Sequence, residues 1–260
     1  MVSFDVDRYD RQLIMPEIGF QGQERLVKAR ALVIGAGGLG CPAALFLAAA
    51  GLGTIGIADS DTVSISNLNR QILHGMKDLS RNKVISAKER LLEMNPSIKV
   101  NTYNIAVDKS NIMDLVSGYD VVIDAVDNFA ARFLVNDACF FAKKPLVEAG
   151  ATAWYGQVTT IIPGSGPCLR CIIDAPFSSA GNLDTRQNGV LGTIPGIIGT
   201  LQALETIKIV TGIGPSLSGR LLAFDGLKCR FREIKTARRN NCPLCGMNPK
   251  ITGIAGSDTV

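Results

Sequence analysis

The sequence predicts an α/β fold: a parallel sheet, antiparallel strands toward the C-terminus, and a small four-cysteine appendage. Three observations carry this. An apolar run at 31–34 leads into Gly35, Gly37 and Gly40 in the order G-x-G-x-x-G, followed by an Ala/Leu-rich stretch at 43–50. A second apolar segment, 54–58, stops at an acid, Asp59. Cysteines then pair as C-x-x-C at Cys168/Cys171 and again at Cys242/Cys245. The first two together form a βαβ unit with a glycine turn, which is Rossmann-like; the third has the spacing of a metal site.

The glycines have separate duties. Gly35 permits the tight turn, Gly37 lets backbone N–H groups approach a phosphate, and Gly40 lets the helix pack closely on the sheet. The helix N-terminus behind them offers unpaired donors and a positive dipole end to an anion. Asp59 is placed to accept hydrogen bonds from ribose hydroxyls. This pattern predicts a bound nucleotide without choosing one, so a dehydrogenase using NAD stays open at this point.

The chain of 260 residues is long enough for a sizeable core. It is 47% hydrophobic and 19% charged, which suits a compact globule. A net charge of +4 is too mild to argue for nucleic acid, and would not repel an acidic protein partner. No uninterrupted apolar stretch is long enough for a membrane span, and the acidic start lacks the apolar core of a signal peptide. A cytoplasmic protein with no nucleic-acid or membrane partner is expected.

In chain order, residues 1–29 read as an N-terminal helical arm, broken by Pro16 and two glycines. Residues 30–155 read as the nucleotide-binding core. Beyond the second strand, Asn67, Asn69, Arg70 and Gln71 form a polar cluster at the strands' carboxyl edge, where such sheets bind ligands. Lys83 follows in a helix-like stretch at 82–95. Two fixed cations beside a phosphate turn suit a triphosphate better than a nicotinamide dinucleotide, although surface charge is the plain alternative. A strand at 97–104, a short helix at 112–116 and a buried strand at 119–125 come next. That strand runs into Asp127, an acid placed to hold magnesium or, equally, to cap the following helix at 130–142. A strand at 145–148 completes this half.

Residues 156–246 read as a C-terminal half. A strand from 156 leads to the first cysteine pair, 174–188 form a long polar loop, 193–211 an apolar helix, and 221–224 with 229–234 a hairpin. The tail is 247–260. Four thiolates from two knuckles fill a tetrahedral zinc ion and leave no open position, so Cys168, Cys171, Cys242 and Cys245 are expected to hold a structural Zn2+. Cys139 and Cys229 lie within apparent helix and strand and read as core. Cys41 opens the phosphate helix, where packing competes with a lowered thiol pKa. His74, the single histidine, reads as structural.

The run G-A-G-G-L-G, D-S-D-T-V, S-N-L-N-R-Q, Lys83, V-D-N-F-A-A-R and two C-x-x-C pairs resembles the MoeB/ThiF family, bacterial and archaeal relatives of ubiquitin-activating enzymes. The resemblance covers nearly the whole chain and displaces the dehydrogenase reading. It implies a single adenylation domain over 1–260, acting with ATP and Mg2+ on the C-terminal glycine of a small ubiquitin-like sulfur carrier protein ending in Gly-Gly. By the same resemblance, Gly35, Gly37, Gly38 and Gly40 frame the phosphates, Asp59 holds the ribose, and Asp61 and Asn128 are further nucleotide-binding residues. Asn67, Arg70 and Lys83 contact phosphates, and Asp127 serves magnesium or the reacting centre. Arg11 resembles an arginine that reaches into a partner's site, which implies a homodimer.

One departure stands out. Many relatives carry a cysteine shortly before the apolar helix, where Thr185 stands here. A hydroxyl without a base is a poor nucleophile, so the chain is expected to stop at the acyl-adenylate and leave sulfur to a separate donor, with no sulfurtransferase of its own. An adenylating relative acting on another carboxylate or a tRNA base, and a silent nucleotide-binding scaffold, are the competing readings.

Overall fold

The structure is a computed structural model and describes residues 4–173 and 188–256. Five parallel strands come first: β1 (Arg30–Ile34), β2 (Thr54–Ala58), β3 (Lys99–Tyr103), β4 (Val121–Asp124) and β5 (Leu146–Thr152). Three antiparallel strands follow: β6 (Tyr155–Ile161), β7 (Arg220–Asp225) and β8 (Arg230–Lys235). They join edge to edge in one eight-stranded sheet of order β3-β2-β1-β4-β5-β6-β7-β8. The expected change from parallel to antiparallel pairing is therefore present, and it happens within one sheet.

Period-two alternation divides the strand residues between two cores. On one face Val33, Ile55, Ile57 and Ile123 pack with α3 (Gly40–Ala49), α4 (Lys83–Met94) and α8 (Thr193–Thr211). On the other, Leu32, Ile34, Val122 and Leu146 pack with α5 (Ile112–Ser117) and α6 (Phe129–Phe141). The four paired cysteines belong to this second core, with Cys168 and Cys171 at the short helix α7 (Leu169–Ile172). α8 buries Ile194, Ile198 and Ala203 toward the sheet and ends at Gly212 in the left-handed conformation with φ 71.

The arm forms α1 (Asp10–Leu13) and α2 (Gly19–Lys28). It is anchored to its own body: Tyr9 is buried, Asn95 donates to its hydroxyl at 2.9 Å, and Arg8 donates to the Met94 carbonyl at 2.9 Å. Three readings need correction. β5 continues past 148 to Thr152, because the small residues Ala149, Gly150 and Ala151 still pair with β6; their lack of alternation hid the hairpin, whose turn places Ala153 at φ 48. α3 begins at Gly40 rather than 43. Cys229 is exposed at φ 49 in the β7–β8 turn and is no core residue. β8 itself is exposed along its whole length, at the sheet's open edge.

Candidate active site

Strand order reverses between β1 and β4, and the turns leaving their carboxyl ends part to open a cleft of about 510 Å3. Its wall is built first by the glycine turn. Gly35 has φ +102, and a Cβ there would lie 2.6 Å from the Ala125 carbonyl; a Cβ on Gly40 would lie 1.8 Å from the Gly35 carbonyl. Only glycine fits either place. Asp59, at the end of β2, accepts from the Ala36 N–H at 2.7 Å and the Asp61 N–H at 2.8 Å. The carboxylate thus ties the glycine turn to the second strand.

Gly35, Gly37, Gly38, Asp59, Asp61, Arg70, Lys83, Asp127 and Asn128 all line this one cleft. Lys83, the first residue of α4, donates from Nζ to Asp61 Oδ2 at 2.8 Å; the lysine side chain is 6% exposed and the aspartate 68%. Arg70 is held by the Ser66 carbonyl at 2.8 Å and Asn69 Oδ1 at 3.0 Å. Gly40 stands behind the wall, and Asn67 outside it, where its Oδ1 accepts from the Ser64 N–H at 3.1 Å and closes a short 3-10 turn. The cap of α6 is Asn128, which accepts from the Ala131 N–H at 2.9 Å, so Asp127 is not the cap; it is exposed beside the cleft. Arg11 does not line the cleft of its own chain, and its side chain is 90% exposed. Thr185 lies outside the described residues.

Sequence reasoning missed a charged cluster at the cleft floor. Asp124 and Glu148 are paired positions on β4 and β5, both fully buried, and Arg132 of α6 lines the cleft while ion-pairing with Glu148. Asp124 Oδ2 meets no hydrogen-bond partner among the described residues. Nothing in sequence order joins these residues; the β4–β5 register pairs the two acids, and the packing of α6 on the sheet brings Arg132 to them. Burial pushes the Asp124 carboxyl up to about 6, against the attraction of Arg132. The sign follows: a folded pKa above the unfolded 3.8 gives stability that is full below about pH 4 and lost as pH rises through about 6. Asp124→Asn, which cannot ionise, should be roughly 2–3 kcal/mol more stable than the parent at pH 8, at about 1.4 kcal/mol per pKa unit. The gap should close toward pH 4, as read by denaturant titration at both values.

Cys41 is buried, and burial pushes its thiol up to about 12. This burial favours packing, since it raises the thiol rather than lowering it.

The second centre is the four cysteines. Their sulfurs lie within 4.8 Å of one another, with Cys168–Cys242 at 3.5 Å, Cys171–Cys245 at 3.3 Å and Cys168–Cys171 at 3.9 Å. These are far beyond a disulfide's ~2.05 Å and close to the ~3.8 Å edge of a tetrahedron with zinc–sulfur bonds of about 2.3 Å. All four are buried, and α6 fixes the first pair: Asn136 Oδ1 accepts from the Leu169 N–H at 2.9 Å, while Asp137 pairs with Arg170 at 2.8 Å. Arg239 donates its backbone N–H to Cys171 Sγ at 3.4 Å, as a donor toward a thiolate should. The donor set fits zinc. Among the described residues no helix is long and apolar enough to cross a membrane.

Residues 9–244 match the sequence model of the ThiF family. The adenylyltransferase and sulfurtransferase MOCS3 of Xenopus laevis is 47% identical over 251 residues, which is 96% of this chain and 55% of that protein. MOCS3 of Dictyostelium discoideum is 46% identical over 250 residues, 95% of this chain and 59% of that one. The chain thus spans little more than half the length of these relatives. Among solved structures, E. coli MccB with ATP superposes with a TM-score of 0.78 at 23% identity, covering 87% of this chain and 69% of that one. MccB with succinimide gives 0.82 at 21%, covering 94% and 75%. At such identity the likeness is one of fold.

Proposed function

The chain belongs to the ThiF family, and from that premise we propose that it adenylates the C-terminal glycine carboxylate of a small ubiquitin-like sulfur carrier protein, releasing pyrophosphate from ATP. The observation that carries this reading is the meeting of a glycine turn, Lys83, Arg70 and Asp127 around one cleft at the strand-order reversal. The adenylyltransferase named in the relatives agrees with it.

The nucleophile is the carrier's own carboxylate, ionised above a pKa of about 3.5, so no general base is needed. What the protein must supply is alignment and neutral charge at the α-phosphate. In this reading the glycine turn and the α3 N-terminus cradle the phosphates, and Asp59 keeps lone pairs for the ribose. Lys83 and Arg70 place two cations along the triphosphate. Magnesium bound with ATP would draw charge from the phosphates, and Asp127 at the cleft edge is the acid to hold it. Arg11, unable to serve its own cleft, acts in a homodimer by reaching that of the second copy. The four cysteines carry a structural zinc. Thr185 puts a hydroxyl where many relatives carry a thiol, so the adenylate passes to a separate sulfur donor, in the cytoplasm.

The test is ATP–pyrophosphate exchange with and without a small ubiquitin-like protein ending in Gly-Gly. Exchange should require that carrier and be lost when its terminal glycine is removed. Exchange with an unrelated carboxylate alone, or none with any carrier while ATP still binds, would sink the carrier reading.

A further inference from the structure

We infer that His74 is a positioning residue that aims the Gly37 amide into the cleft by holding the Ala36 carbonyl from behind, an inference that rests on the nucleotide reading above. His74 is 7% exposed. Its Nε2 lies 3.2 Å from the Ala36 carbonyl oxygen and its Nδ1 lies 2.9 Å from Ser86 Oγ. Burial lowers the imidazole pKa, so the ring is neutral near pH 7 and has one donor and one acceptor nitrogen. A carbonyl oxygen only accepts. Nε2 therefore carries the proton, and Nδ1 faces the Ser86 hydroxyl, which also lies beside the Asp78 carboxylate. The same carbonyl takes a second donor, the Cys41 thiol at 3.5 Å, which burial keeps protonated.

The peptide joining Ala36 to Gly37 is planar and trans, so its C=O and N–H point in opposite directions. Two donors draw the carbonyl toward the interior. The Gly37 N–H must then face outward, and Gly37 lines the cleft. This N–H meets no acceptor among the described residues. On the other side of Ala36, its own N–H is held by Asp59 at 2.7 Å. One residue's backbone is thus gripped at both ends, and what remains free is an amide donor preset for a phosphate oxygen. The histidine acts at a distance from the ligand and contributes no proton to the reaction.

The experiment is calorimetric titration of the full chain with ATP and, separately, with adenosine, which has no phosphate to meet the amide. His74→Leu should weaken ATP binding by about tenfold, the scale of one misdirected donor to a charged acceptor, and leave adenosine unchanged. His74→Gln, whose side-chain amide can still donate to Ala36, should restore most of the loss. His74→Asn, one methylene shorter, should not, and it replaces the leucine variant if that chain does not fold. Equal weakening toward ATP and adenosine, or no weakening in any folded variant, would overturn the brace while leaving adenylation intact. A parent protein that binds adenosine but not ATP would overturn both.

Discussion

Lys83→Met is expected to lower carrier-dependent ATP–pyrophosphate exchange by about 10²–10³-fold, the usual loss when one preorganised charge donor at the reacting centre is removed. The ammonium is nearly buried and held at 2.8 Å by Asp61, so it stands in place before any ligand arrives. Methionine fills the same volume without the charge. Asp61 is 68% exposed and remains solvated when its partner is gone, so the variant should melt within a few degrees of the parent. Asp127→Asn should fall by a similar factor for the complementary reason: it removes the acid offered to the metal. Separate melting curves distinguish lost chemistry from lost fold. Exchange at parental rates in both folded variants would remove the cleft from the mechanism.

Cys242→Ser, or a strong chelator, is expected to destabilise the fold through its C-terminal half. The sulfurs of Cys242 and Cys245 meet those of Cys168 and Cys171 across a long stretch of chain. A cross-link closing so long a loop removes about 4 kcal/mol of unfolded-state entropy on the chain-entropy model, to be set against a total stability of about 5–15 kcal/mol for an ordinary domain. The parent should contain about one zinc per chain, the stoichiometry of a closed four-thiolate site. The serine variant should lose the metal together with several degrees of melting temperature. A metal-free parent with an unchanged melt would make the cluster a set of packed thiols.

Much of this was legible because the signals were local. Strand, glycine turn, helix and Asp59 are consecutive, and each has one physical job, so β1 and β2 could be read within a residue of their ends and α3 within three. The cysteine pairs were legible from spacing. The failures were of another kind. Asp124 and Glu148 meet through strand register, and Arg132 joins them through the packing of α6. His74 could be read as structural, but the carbonyl it holds is in another element. Cys229 sat in an alternating segment and was taken for core, whereas the hairpin turns at that residue. The small residues of β5 gave no alternation, so a seven-residue strand was cut to its first part.

The sheet's last strand has a consequence for how this molecule behaves when crowded. An open edge presents unpaired backbone groups and invites another chain to zip onto it. β8 sets Arg230, Arg232 and Lys235 among its six residues, with Glu233 as the single acid. Two such edges approaching each other would bring like charges together before their backbones could pair. The strand that ends the sheet thereby also guards it against runaway self-association.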